Sequence, residues 1–432
     1  MIDVIAITVP LILFIAIIVA TVIKKINKTI VSITAGLLTM VFVLSYYGFN
    51  FGDVILRLIA REDFGYIKIY MLIIGMNLIT AVLYESGVFQ FLSLKTIKLT
   101  KGNRILMFII FGTMTVFISS FISNLLTIFI LAPITILLCG ILKIDAEPYL
   151  ILQVILLNVG GLITLISSNL NILVCSLFDI GFTEFFVLFA PLGFILFFVT
   201  MLLAYLLLRK KLKPPDKTQI QYLQQFDDWS IVKDKGRFYR ALIMFLITMV
   251  SFIVFSEFMG LVSIFFGILM IIFVVENKAE GLKKINLNTI IFYAGIFITL
   301  EGLKLSGIFD SLGEFLGTVL PSNPYLIALV ILWTSGSFSS VIANIPLALA
   351  FSPVIEKLIG ENLAIRPLLV TALITGSNLG DNLFPAGDVA IQLDIIEQQG
   401  GKRIKVKTFF IIGFILGIIQ LIITSFYLYF LI

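Results

Sequence analysis

Apolar stretches of about 20 residues follow one another along the chain, separated by short polar or charged loops. A helix of about 20 apolar residues is the element that crosses roughly 30 Å of hydrocarbon. The first stretches cover about 4–23, 29–49 and 66–91. The composition agrees, because 60% of the 432 residues are hydrophobic and only 13% are charged. The pattern predicts an all-α polytopic membrane protein.

The charges of the loops predict how the spans are oriented. Loops 24–28 and 95–104 are basic, and 209–240 carries nine Lys or Arg against four Asp, so all three are expected in the cytoplasm. Loop 179–184 has two acids and no base and is expected outside. This predicts a multi-pass protein of the cytoplasmic (inner) membrane with both termini outside. The net charge of +5 belongs to these loops, so no nucleic-acid partner is expected.

The basic loop at 95–104 and the acidic loop at 179–184 are expected on opposite sides of the membrane, so the number of crossings between them must be odd. Two long apolar segments occupy that interval, so one of them is expected to return to its own side. We interpret 105–141 as a re-entrant hairpin with its tip at SSFISN (119–124), and 148–178 as one crossing broken at TLISSNLN (164–171). Irregular backbone at membrane depth is tolerated where it lines a cavity.

The chain also contains an internal repeat with an offset of 220 positions, as between Gly75 and Gly295. Five predicted crossings separate the copies, so the second copy is inverted, as in many secondary transporters. Its hairpin is expected at 325–358 and its broken helix at 367–395. Other identical pairs at this offset are Ser86 and Ser306, Gly87 and Gly307, Ser119 and Ser339, Asn124 and Asn344, and Asn158 and Asn378.

The predicted architecture has about ten crossings and two re-entrant hairpins, in two inverted-topology repeats whose helices are broken at the midplane. The segments are N-terminal transmembrane helices (1–65), a first inverted repeat (66–208), a cytoplasmic basic linker (209–240), and a second repeat with flanking helices (241–432).

The interruptions hold the candidate chemistry. Broken helices free backbone carbonyls for cations and present positive N-terminal ends to anions. Asp381 and Asp388 lie in the second broken helix, whereas their first-repeat counterparts, Gly161 and Ser168, are neutral. A carboxylate in hydrocarbon is costly unless it faces a cavity or a partner, so both are candidates for coupling. The alternative is that Asp388 caps a half-helix and Asp381 lies at a wet helix end.

Two groups of candidate site residues follow. For substrate binding they are Ser123, Asn124, Ser168, Asn169, Asn171 and Asn344. For cation or proton coupling they are Ser119, Ser167, Asn378, Asp381, Asn382, Gly387 and Asp388. The chain has no histidine, and Cys139 and Cys175 lie in apolar runs, so sodium is the only metal expected. We expect no cofactor beyond a coupling Na⁺ or H⁺.

The motifs SSFISNLLTIFILAPI (119–134), SSVIANIPLALAFSPV (339–354) and LGDNLFPAGDVA (379–390) resemble those of the ion transporter superfamily. That group contains arsenite permeases, NhaD-type sodium/proton antiporters, citrate transporters and divalent-anion/sodium symporters. The dicarboxylate symporters have Ser-Asn-Thr at both tips, where this chain has Leu125 and Ile345 in place of threonine. The resemblance implies a homodimer, and it places Asn124, Ser167, Ser168, Asn344, Gly387 and Asp388 at the site.

The function expected from these observations is secondary active transport of a small anion or oxyanion, coupled to a cation or proton by alternating access. The alternative is a sodium/proton antiporter using Asp381 and Asp388. The partners expected are a small inorganic or organic ion and the lipid bilayer. An enzyme is disfavoured, because no metal set or nucleophile–base pair is visible in the sequence.

Overall fold

The structure, a computed structural model, describes residues 4–23, 26–48, 65–215, 227–276, 287–309, 323–360, 362–402 and 404–431, with isolated positions between them. In these residues the regular structure is helical. Eight helices are long and apolar enough to cross a membrane, and five apolar helices are shorter. The predicted all-α polytopic membrane protein is confirmed.

Several charged positions that set the predicted orientation lie outside the described residues. They are Lys24 and Lys25, most of 216–226 in the basic linker, 279–284, and Arg403. The orientation of the termini therefore stays a prediction from sequence.

The first half of the chain contains nine α-helices among its described residues. They are α1 (Val4–Val22), α2 (Lys28–Tyr47), α3 (Gly65–Ser86), α4 (Val88–Lys98), α5 (Arg104–Ser119), α6 (Asn124–Ile141), α7 (Glu147–Gly160), α8 (Asn169–Leu177) and α9 (Phe182–Leu208). Asn27 and Asn103 begin α2 and α5 by accepting hydrogen bonds from backbone N–H groups of the first turn. Such caps satisfy donors that a helix start leaves unpaired.

The second half repeats this order. Its described helices are α10 (Lys235–Val254), α11 (Met259–Val274), α12 (Leu287–Leu305), α13 (Pro324–Ser339), α14 (Asn344–Ile359), α15 (Arg366–Gly380), α16 (Gly387–Gln398) and α17 (Val406–Tyr429). The repeat is visible in the backbone as well, because Gly87 and Gly307 follow equivalent helices with φ of 76° and 73°. These left-handed values favour glycine.

Helix α2 packs on α12 of the second repeat, and α11 packs on α3 of the first repeat. The Ser32 hydroxyl of α2 donates to a carbonyl of α12 at 2.6 Å, and the Ser263 hydroxyl of α11 donates to a carbonyl of α3 at 3.1 Å. A Cβ added at Gly75 or at Gly295 would lie 2.2 Å from the backbone of the partner helix. Small residues thus allow close backbone approach, as is usual between membrane helices.

Four helix breaks interrupt the site region. The segment 105–141 is not one continuous helix, because α5 ends at Ser119 and α6 begins at Asn124. The corresponding break in the second repeat separates α13 from α14, and the breaks after α7 and α15 contain 3₁₀ turns. Helix α15 lies directly on α13, since a Cβ at Gly380 would be 2.2 Å from the Gly336 carbonyl oxygen. The re-entrant path of the two pairs stays a prediction.

Candidate substrate and cation site

The first tip, between α5 and α6, is held by neutral hydrogen bonds. The Ser119 hydroxyl lies 2.9 Å from Asn124 Oδ1 and 2.8 Å from the Leu157 carbonyl oxygen. The Asn124 amide donates to Asn158 Oδ1 at 2.8 Å. Ser123 precedes α6, and its side chain makes no capping hydrogen bond. The amide of Asn124 therefore joins the tip to α7.

The second tip, between α13 and α14, repeats this geometry with a carboxylate. The Ser339 hydroxyl lies 2.8 Å from Asn344 Oδ1, 2.5 Å from the Ser377 carbonyl oxygen and 2.9 Å from Asp381 Oδ1. The Asn344 amide donates to Asp381 Oδ2 at 2.8 Å. One hydroxyl proton is thus surrounded by three acceptor oxygens, and a single proton cannot make a full hydrogen bond to all three.

The repeats differ by one charge at this point. The position equivalent to Asp381 is Gly161, where an added Cβ would lie 3.7 Å from Asn124 Oδ1. Asp381 is only 2% exposed, and in the described part of the chain its side chain accepts hydrogen bonds from the neutral groups of Ser339 and Asn344. A buried charge is costly without a counter-charge. The second tip therefore includes a carboxylate oxygen, whereas Ser119, Asn124 and Leu157 offer neutral oxygens at the first tip.

A row of amides connects the first tip with the second repeat. Asn158 donates to Asn382 Oδ1 at 2.9 Å, Asn382 to Gln420 Oε1 at 3.0 Å, and Gln420 to Thr200 Oγ1 at 2.9 Å. All four side chains are at most 1% exposed. Thr200 and Gln420 occupy equivalent positions in the two repeats, on α9 and α17. The row therefore passes from the first repeat into the second and returns to the first at Thr200, where α9 and α17 are in contact.

The first broken helix is closed by its own side chains. Ser167 donates to the Gly161 carbonyl at 2.6 Å, and Asn171 donates to the same carbonyl at 2.7 Å. Asn378 of the second repeat donates to Asn171 Oδ1 at 3.0 Å. Ser168 caps α8 by accepting from a backbone N–H at 3.2 Å. These bonds satisfy carbonyls and N–H groups that the break leaves without helical partners.

The half-helix N-termini form a half-buried part of the site. Helix α8 packs on α14 and α16 packs on α6, so each broken helix of one repeat lies against a tip helix of the other. Asp388 is in the first turn of α16, after Gly387, whose φ is 51°. Tyr293 of α12 neighbours both Asn169 and Asp388. Because residue 386 is the N-cap of α16, Asp388 does not cap this helix itself.

The structure thus places the predicted residues in two sets. One set takes part in three separate groups of side-chain hydrogen bonds. The groups contain Ser119, Asn124 and Asn382; Ser167, Asn171 and Asn378; and Asn344 and Asp381. The other set lies half-buried at the N-terminal ends of half-helices and contains Ser123, Ser168, Asn169, Gly387 and Asp388.

Sequence reasoning missed several members of the hydrogen-bonded set. Asn158 and Ser339 were visible in the repeat, opposite Asn378 and Ser119, and could have been assigned to the site. Thr200 and Gln420 carry a weaker signal, because the two positions share the 220-residue offset but not the residue type.

The fold is that of a multi-pass membrane protein, and comparison with known proteins shows that the chain is a membrane transporter. The citrate transporter family model matches residues 5–362, so the chain belongs to that family. Among its relatives is a 46 kDa membrane protein of Mycobacterium leprae, 26% identical over 388 residues and covering 87% of each chain. An uncharacterized transporter of Mycobacterium tuberculosis is 24% identical over 394 residues, with the same coverage. The human P protein is 24% identical over 429 residues, which are 79% of this chain and 51% of that protein.

Proposed function

We propose that the chain is a secondary active transporter that moves a small anion or oxyanion across the cytoplasmic membrane, coupled to a cation or a proton by alternating access. The observation that carries this proposal is the second tip, where three acceptor oxygens surround the single proton of the Ser339 hydroxyl. A proton on Asp381, or a cation among these oxygens, would satisfy the acceptors that the hydroxyl leaves unpaired.

The cation would be held by Asp381, Asn344, the Ser339 hydroxyl and the Ser377 carbonyl. These are hard oxygen ligands of the kind that sodium takes. A bound positive charge would offset the buried carboxylate, and the anion would then meet a neutral or positive site. The N-terminal ends of α6, α8, α14 and α16 add partial positive charge for the anion.

The packing supports alternating access. Helices α1–α3 and α10–α12 pack mainly on one another and form a frame, whereas α5–α9 and α13–α17 pack mainly on one another and hold the site. Movement of the site helices against the frame would require few contacts to break. Since the repeats are predicted to be inverted, the inward-open and outward-open states would be built from equivalent contacts.

The identity of the anion rests on the tips. Family membership makes citrate the first anion to test. Leu125 and Ile345, however, replace the two threonine hydroxyls found in dicarboxylate symporters. We therefore propose an anion smaller than a tricarboxylate, or an oxyanion, as the substrate.

A sodium/proton antiporter is the second candidate. The feature that favours it is a pair of carboxylates, Asp381 and Asp388, that lie within electrostatic range of each other on either side of the second helix break. An antiporter would exchange a proton for sodium at this pair and would need no anion. Proton release from vesicles on addition of sodium, in the absence of any permeant anion, would support it.

The test is transport by purified protein in proteoliposomes, with imposed sodium or pH gradients and a panel of citrate, phosphate, arsenite and dicarboxylates. We expect gradient-driven accumulation of one small anion. Asp381→Asn is the variant that tests the cation site. Its amide can donate to the acceptor oxygens around the Ser339 hydroxyl, so the protein should fold while the cation site is lost. Accumulation of the same anion at the wild-type rate by Asp381→Asn, or no accumulation of any anion by the wild type, would contradict the proposal.

A further inference from the structure

An apolar cleft of about 540 Å³ lies beside the first tip, between α5, α9 and α10. Its floor is formed by Ser120 and Thr164, and the Thr164 hydroxyl donates to the Ser120 carbonyl. Seven phenylalanines line its walls, and none of its lining residues is charged. Since the two polar groups of the floor satisfy each other, an occupant needs no polar group of its own.

The cleft extends along α9, and part of its lining is exposed. Its lining follows α9 from Phe182 to Phe198, a length of about 24 Å at 1.5 Å per residue. Along its rim Phe117 is 43% exposed, Phe194 48% and Phe198 66%. These residues lie on predicted membrane segments, so the exposed rim meets lipid hydrocarbon rather than water. The length exceeds half of a hydrocarbon core of about 30 Å, which is the depth of one leaflet.

Three positions in the second repeat carry larger side chains than their counterparts in or beside the cleft. Phe384, Phe410 and Trp333 stand where the first repeat has Thr164, Ala190 and Thr113, respectively. The rings of Phe384 and Phe410 are in contact, with 5.2 Å between their centroids.

At other lining positions the exchange runs in the opposite direction: Phe117 and Phe121 have Ser337 and Val341 as counterparts, and Phe197 has Gly417. The second repeat nevertheless has little free space there, since an added Cβ at Gly417 would lie 2.9 Å from Leu383.

We propose that an acyl chain of a bilayer phospholipid occupies this cleft, with its end against the first tip. The exposed apolar rim, the length and the uncharged aromatic walls fit a hydrocarbon chain better than a compact polar ligand. The headgroup would stay at the membrane surface near Thr183, where α9 begins. The cleft lies between the site helices and α10 of the frame. If the proposed alternating access is correct, the chain must leave or bend each time the tip moves.

The binding itself can be tested without transport. The native tryptophans are first replaced (Trp229→Phe, Trp333→Phe), and a reporter is introduced by Phe197→Trp, a half-buried position in the cleft wall. The protein is reconstituted in phosphatidylcholine with brominated acyl chains, which quench nearby tryptophan fluorescence. Phe265→Trp, at a position 58% exposed on α11, marks full quenching, and Phe189→Trp, at a position 0% exposed, marks the buried limit. We expect quenching at Phe197→Trp to approach that of Phe265→Trp; quenching no greater than at Phe189→Trp would overturn the proposal.

Filling the cleft separates an inserted chain from lipid that only touches the outer surface. Thr113→Phe and, in a second variant, Ala190→Phe introduce large side chains at positions where the second repeat is aromatic. We expect either change to reduce quenching of the Phe197→Trp reporter at least twofold, with quenching at Phe265→Trp unchanged. Undiminished reporter quenching in both folded variants would show that no chain enters the cleft. These outcomes do not depend on any transport assay, so the proposed function can fail separately.

Discussion

The two tips form a matched pair, because Asn124 and Asn344 occupy equivalent positions and differ in one partner. Each accepts a hydrogen bond from a serine, at 2.9 Å from Ser119 and 2.8 Å from Ser339. Each also donates one hydrogen bond at 2.8 Å, Asn124 to a neutral amide and Asn344 to the carboxylate of Asp381. With Asp381 ionised, as it would be with a cation bound, substituting each asparagine by alanine compares a neutral bond with a charge-assisted bond in nearly the same geometry.

The expected magnitudes follow from the type of bond. A neutral hydrogen bond contributes about 0.5–1.5 kcal/mol to stability and one to a charged group about 1.5–3 kcal/mol. Interhelical bonds within membranes average about 0.6 kcal/mol, because the unfolded chain also finds partners there. We expect Asn344→Ala to lower the free energy of unfolding by about 1 kcal/mol more than Asn124→Ala, the difference between the two ranges. Both variants should lose transport, because each amide also orients its tip.

The assay is a pair of double-mutant cycles on protein unfolded in detergent, with transport measured in proteoliposomes. One cycle combines Asn344→Ala with Asp381→Ala, and its control combines Asn124→Ala with Asn158→Ala, so that each cycle removes both partners of one bond. The coupling energy should be larger in the first cycle. Independent sites add within about 0.3–0.5 kcal/mol, so a first-cycle coupling below that limit would refute the reasoning. Wild-type transport by both alanine variants would mean that the tips only cap helices.

Three further expectations follow. Gln420→Leu should lower both the thermal midpoint and the transport rate, and adding Thr200→Val should restore part of the stability, because removing both partners leaves fewer unpaired groups; no restoration would contradict this. Asp388→Asn should keep exchange of substrate but lose gradient-driven accumulation; full accumulation would assign coupling to Asp381 alone. Gly87→Ala and Gly307→Ala should each destabilise the protein by about 1–2 kcal/mol, measured by unfolding, because both glycines have left-handed backbone conformations; a change under half that size would contradict it.

The sequence predicted the positions of the breaks well, for a physical reason. Polar residues interrupt apolar helices only where the backbone finds other partners, so Ser119 and Asn124 mark the first tip as clearly as Ser339 and Asn344 mark the second. The constant offset then related the two tips before any contact was known. The positions of the tips, which one repeat alone leaves ambiguous, are therefore identified by comparing the two repeats.

The full extent of the repeat could not be read from the same offset. Ser32 and Gly36 of α2 correspond to Ser263 and Gly267 of α11, but their offset is 231 and not 220. The connection from this helix to the next is shorter in the second repeat, which breaks the register. Two small residues per helix are also a weak signal in an apolar sequence. The contacts with the partner helices, and not the sequence, establish this equivalence.

The partner of each tip was equally hard to predict. The repeat pairs Asn158 with Asn378, so Asn344 would be expected to bond to Asn378 as Asn124 bonds to Asn158. Instead Asn344 donates to Asp381, and Asn378 donates to Asn171. A carboxylate is a stronger acceptor than an amide oxygen, and the charge exists only in the second repeat. A single substitution relative to the repeat pattern has thus rearranged its neighbours.

A short path of side chains connects the two tips. Asn382 follows the cation candidate Asp381 in the chain and accepts the hydrogen bond of Asn158, which in turn accepts that of Asn124. Protonation or cation binding that moves the 381–383 turn must therefore displace a bond that holds the first tip. Because buried amides cannot lose a partner to water, the displacement passes to the next amide instead of being absorbed. In the proposed transporter, coupling between the driving ion and the anion would need only this row of side chains, and a charge at one tip would be sufficient to control both.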